Sequence, residues 1–201
     1  LAAAGGVLAS VLVLGPPGSA AREDEAAKGR EATGTPDDKE ARAAFDYLNR
    51  VRQDPPAFSK EIGVDLSKAA KRPTLAWDKS LARAARDKAL DMAKRNYFGH
   101  VNPDGLGMNV LIDRAGYKLP ADWVEDKKAN FFESIGAGYP GGKATIQQLI
   151  VDKGVADVSH RKHLLGMTAF WEGCKDGGIG FARAKGARYS TYVCILIARR
   201  R

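Results

Sequence analysis

Tyr189-Ser190-Thr191-Tyr192-Val193-Cys194-Ile195-Leu196-Ile197-Ala198 is the stretch whose reading decides the fold. Its β-branched and aromatic residues define a strand, and from Tyr192 to Ile197 apolar side chains stand at successive positions. Such a strand must be covered on both faces. Upstream, Gly178-Ile179-Gly180-Phe181-Ala182 reads as a second strand, and the two predict an antiparallel hairpin with the second strand in the middle of a sheet.

The rest of the chain supplies the cover. Over 38–53, Ala41, Ala44, Phe45, Leu48 and Val51 recur at three- and four-residue steps, and Asp54-Pro55-Pro56 ends that helix. A turn of helix is expected around 58–62. Residues 73–78 read as an extended entry into a helix over 79–95 with Leu81, Ala84, Ala85, Ala89, Leu90 and Met92 on its apolar stripe. Residues 108–115 read as a helix closed by Gly116, 143–153 as another and 160–165 as a helical turn. Helices interleaved with short, mostly antiparallel strands predict an α+β fold, a three-layer α-β-α sandwich over 37–199.

Residues 1–21 carry no charge and hold the apolar run Val7 to Leu14 followed by Gly15-Pro16-Pro17-Gly18 and small residues. This reads as a signal peptide cut short at its start, followed by a disordered linker over 22–36. An uncleaved anchor is the alternative. Either way the expected location is secreted or cell envelope. The 201 residues carry a net +8, which suits an anionic surface. No stretch interleaves basic and aromatic residues as a nucleic-acid platform does, so nucleic acid is not expected as a partner. Cys174 and Cys194 are the only cysteines. In an exported chain they predict a disulfide worth about 3 kcal/mol, with two buried thiols as the alternative.

Two of three histidines fall in polar segments, Phe98-Gly99-His100-Val101-Asn102 and Ser159-His160-Arg161, and Glu133 interrupts the apolar run Phe131-Phe132-Glu133-Ser134-Ile135-Gly136. Imidazoles and a carboxylate suit metal binding or acid–base work. Helix capping by the histidines and by Ser159 is the purely structural reading.

The order of motifs is more specific than any one of them. Leu48-Asn49-Arg50-Val51-Arg52 comes first, then Leu75-Ala76-Trp77-Asp78, then Phe98-Gly99-His100, Gly116-Tyr117, Glu133-Ser134-Ile135-Gly136, Ser159-His160-Arg161 with Leu164-Leu165, and Gly178-Ile179-Gly180 before a strand. This succession resembles the CAP superfamily (cysteine-rich secretory, antigen 5 and pathogenesis-related proteins), in its bacterial secreted branch. The resemblance implies a sandwich with a surface cleft lined by two histidines and two acids. His100, Glu133 and His160 match three of these. The second acid is Asp152 by helix position, or Asp157 by ungapped count from His160. Ser134 replaces an Asn, and His163 stands where bacterial members often carry Asn.

Two neutral imidazoles, His100 and His160, make a weak site for Zn²⁺ completed by water. The resemblance points to an exported binding protein for a lipid or cell-envelope ligand, ahead of an enzyme. The alternative is a metal-assisted hydrolase or protease acting on an extracellular substrate.

Overall fold

The computed structural model describes residues 34–200. The expected signal segment lies outside the described residues, as does the expected linker up to its last three residues. Pro36 already opens the first helix, a proline where a first helical turn accepts one. That helix, α1 (Pro36–Gln53), buries Ala41, Ala44, Phe45, Leu48 and Val51 and stops before Pro55. The short α2 (Ser59–Ile62) follows a 3₁₀ turn. Strand β1 (Ala76–Trp77) leads into α3 (Lys79–Lys94), where the Asp78 carboxylate accepts from the Ser80 and Leu81 amides. Next come α4 (Met108–Arg114), β2 (Glu133–Ala137), α5 (Gly142–Val151), α6 (Ser159–Leu165) and α7 (Ala169–Glu172). Strands β3 (Asp176–Arg183) and β4 (Thr191–Ala198) close the chain.

The sheet order is β1-β3-β4-β2. Strand β4 therefore lies inside the sheet, paired antiparallel to β3 and to β2, and every one of its residues is buried. The edge pair is the exception in a mostly antiparallel sheet, because β1 runs parallel to β3. Its two residues are too few to leave a periodic signal.

Glycines in β3 show how the layers meet. A methyl group on Gly178 or Gly180 would overlap the backbone of Ala82 or Ala85 in α3, whereas one on Gly177 would strike the Phe45 ring of α1. Alternate residues of a strand face opposite sides. Hence α3 covers one face and α1 the other, giving the three layers. Register extends this to the edge strand: Glu133 pairs with Leu196 and Leu196 with Gly178, so Glu133 shares the α3 face, and Ser134 faces the opposite layer.

The same register corrects the disulfide expectation. Cys174 and Cys194 are free, buried thiols. Cys194 pairs with Gly180 in the β3–β4 ladder, while Cys174 lies before the first residue of β3, Asp176. At about 3.3 Å per residue, the four steps from Asp176 to Gly180 already span roughly 13 Å, beyond the Cα separation a disulfide bridges. Burial raises both thiols, Cys174 to about 11.

Candidate functional site

His100 sits in the loop after α3, and its Nδ1 lies 2.7 Å from Glu133 Oε2. The acid's side chain is fully buried, while that of the histidine is 42% exposed. The second oxygen of Glu133 accepts a weak bond from the Cys194 thiol at 3.4 Å. Asn130 Nδ2 also lies 2.9 Å from the same His100 nitrogen, and Asn130 Oδ1 is buried without a partner. One ring nitrogen cannot donate to Glu133 and accept from an amide together. With its Nδ1–H given to the carboxylate, the ring has no lone pair there for the Asn130 amide to donate to. In the neutral ring the lone pair of His100 then falls on Nε2.

His160 repeats the bond in another setting. Its Nδ1 lies 2.7 Å from Asp152 Oδ1, and the other Asp152 oxygen accepts from the Arg161 amide at 3.1 Å. Asp152 caps α5 in the left-handed conformation, φ 55°, the helix stopping at Val151, two residues before its expected end, and Asp152 is buried. Arg161 fastens the opposite side by donating to the carbonyls of Ile150 and Val151. Asp157, the other acid weighed from sequence, is exposed. Ser159 does not cap α6: Val158 holds that place, and no side chain bonds there. Nor does either histidine cap a helix.

The third histidine was legible only as a departure from the family pattern. Ser134 Oγ lies 2.7 Å from His163 Nδ1, both buried. Two replacements at family Asn positions thus face each other, a pairing no local spacing announces. Burial pushes His163 down to about 3, so the imidazole is neutral, and the Arg52 charge, followed by any charge on His160 or His100, opposes its protonation further. His163 Nε2 makes no hydrogen bond, although the Ile197 carbonyl acts on the ring. So weak a base, closed from solvent, does not make Ser134 a nucleophile.

The donor set suits a metal only in part. In each of the two outer pairs the carboxylate holds Nδ1, the arrangement that orients an imidazole to ligate through Nε2. Among the described residues no group of three or more His, Cys, Asp or Glu is arranged to hold an ion. The acids are turned to the rings.

An α+β sandwich carrying two histidine–carboxylate pairs defines the class. The model of the cysteine-rich secretory protein family, CAP, matches residues 45–196, and the chain belongs to that family. Its structure is similar to an extracellular protein containing a SCP domain from Bacillus anthracis str. Ames, at 25% identity and a TM-score of 0.51, over 82% of this chain and 44% of that one. The chain thus spans less than half of that protein. It is also similar to an outer surface protein from Borrelia burgdorferi (13% identity, TM-score 0.49, 81% of this chain and 94% of that one). A third is venom allergen-like protein 4 of Schistosoma mansoni (15%, 0.42, 80% and 90%). No curated protein matches by sequence.

Proposed function

We propose that this chain is an exported CAP domain that binds a lipid or other cell-envelope ligand at a cleft bordered by His100–Glu133 and His160–Asp152. The observation carrying this reading is where the exposed large hydrophobics fall. Among the described residues they are Phe98, Val101, Phe131 and Met167. Phe98 and Val101 flank His100. Phe131 adjoins Asn130, and its carbonyl accepts from Trp171, whose ring lies 5.4 Å from that of His163. Met167 follows α6 and bonds back to Lys162. Exposed apolar groups gathered on the segments that bear or touch the histidines support a ligand with an apolar body. The net +8 supports an anionic or polar head. The likeness to an extracellular protein supports export.

Zn²⁺ is proposed as a secondary ligand, with Nε2 of His100 and of His160 as its candidate donors and water completing its sphere. It would supply positive charge for an anionic head group. Tag-free protein should co-purify with envelope lipid detectable by mass spectrometry, and Phe98→Asp with Phe131→Asp should abolish that lipid while the thermal melt stays within a few degrees. Wild-type protein free of lipid, or a double variant that retains it, would overturn the reading.

A further inference from the structure

We infer that Lys88 is a positioning residue, set beneath the His100 loop to hold that ring against Glu133. The inference rests on reading His100 as part of the ligand site. Lys88 stands on the stripe of α3 that also carries Leu81, Ala84, Ala85, Ala89 and Met92. It is 2% exposed. A buried ammonium is costly unless all its donors are used. Here all three are: Nζ donates to the carbonyls of Gly99 at 2.7 Å and His100 at 3.0 Å and to the Tyr97 hydroxyl at 3.3 Å.

No helix requirement explains a charge at that position, since a methionine would continue the apolar stripe. The acceptors do explain it, because they are three groups of one loop and include the backbone of His100 itself. Tyr97 in turn donates to Asp91 Oδ2 at 2.7 Å, which aims its own oxygen at Lys88. Lys88 also supplies positive charge near a buried acid. Its field reaches Cys194, whose thiol bonds Glu133, and the Glu133 charge reaches Tyr97.

The outer part of the loop has a second fastening. Arg95 bonds both oxygens of Asp104, at 2.6 and 3.0 Å, and Asp104 is exposed. Arg95 also ion-pairs Asp91 at 3.6 Å, so the two fastenings are told apart at Asp104, which the inner one does not use. The inner one acts at residues 97–100, and the outer one lies four residues past His100.

The test reads the His100 ring directly, in metal-free, lipid-free protein, from the nitrogen-15 shifts of its two ring nitrogens at fixed neutral pH. Wild type should show the proton on Nδ1. Lys88→Met should shift the ring toward the Nε2-protonated form and weaken Zn²⁺ binding about tenfold or more, the scale of losing an outer partner of a ligating histidine. Asp104→Ala should leave the ring as in wild type. A folded Lys88→Met that keeps the Nδ1–H form overturns the assignment. Should Lys88→Met not fold, Lys88→Gln decides: a ring shifted toward the Nε2-protonated form supports the inner clamp, and a ring that keeps the Nδ1–H form overturns it. Failure of wild type to bind lipid or Zn²⁺ would sink the ligand reading and leave these ring measurements untouched.

Discussion

The two histidine–carboxylate pairs make the same bond at the same 2.7 Å, yet one is built by the whole fold and the other by a single corner. His100 and Glu133 are 33 residues apart and meet because β2 is registered on β4 with α3 packed across that face. His160 and Asp152 are eight apart, joined through the turn between α5 and α6. The acids differ accordingly. Glu133 is a strand residue kept in place by its neighbours in the sheet. Asp152 holds a left-handed backbone position and bonds a helix-start amide, so it shapes the corner it occupies. One pair should respond to anything that disturbs helix–sheet packing, and the other to changes within about ten residues.

The largest effect expected follows from the first half of that contrast. Gly180→Ala would force a methyl group into the Ala85 backbone. Overpacking against flexible side chains commonly costs 1–3 kcal/mol; here the obstacle is main chain, so a loss above about 3 kcal/mol is expected in urea unfolding. A variant as stable as wild type would show that α3 can move off the sheet without consequence, and the dependence of the His100 pair on that packing would fall with it.

His163 differs from both pairs, bonded to a hydroxyl and buried where the others are bonded to carboxylates and partly exposed. Its folded value of about 3 lies below the roughly 6.5 of an unfolded histidine. The unfolded chain therefore takes up a proton first as the pH falls, and the folded chain loses stability from about pH 6.5 down toward pH 3. The slope is at most about 1.4 kcal/mol per pH unit, so about 3 kcal/mol by pH 4. His163→Asn should flatten this part of the acid limb, measured as urea midpoints at pH 4 to 7. A limb of equal slope in both proteins would assign the acid sensitivity elsewhere.

These contrasts also explain what could be read in advance. The apolar run of β4 announced a central strand, and the stripes of α1 and α3 announced its cover, because burial leaves a periodic mark on sequence. His100, Glu133 and His160 were legible through motif order. The bond that joins His163 to Ser134 was not, since a contact between residues 29 apart depends on strand register. Lys88 was hidden by standing as a lone charge in an apolar stripe. The disulfide expectation failed for the same reason: two cysteines beside adjacent strands meet only when the register puts them opposite. Strand β1, two residues long and parallel, gave no period to find.

The finest test concerns the corner that holds His160. Counting along the chain left Asp152 and Asp157 as rivals, and they lie in opposite settings, Asp152 buried and bonded at both oxygens, Asp157 exposed. Asp152→Ala removes the His160 partner and the Arg161 amide acceptor and leaves alanine at a left-handed position, so a loss of about 2 kcal/mol is expected. Asp152→Asn tolerates that backbone and can still accept from His160 through its oxygen, so about half the loss should return. Asp157→Ala should change stability by less than about 0.5 kcal/mol, as surface substitutions do. Melting curves of the three variants order them, and the ring nitrogens of His160 should move in Asp152→Ala alone. Equal losses for Asp152→Ala and Asp157→Ala would mean that the whole turn holds His160, and the local pair would then resemble the distant one.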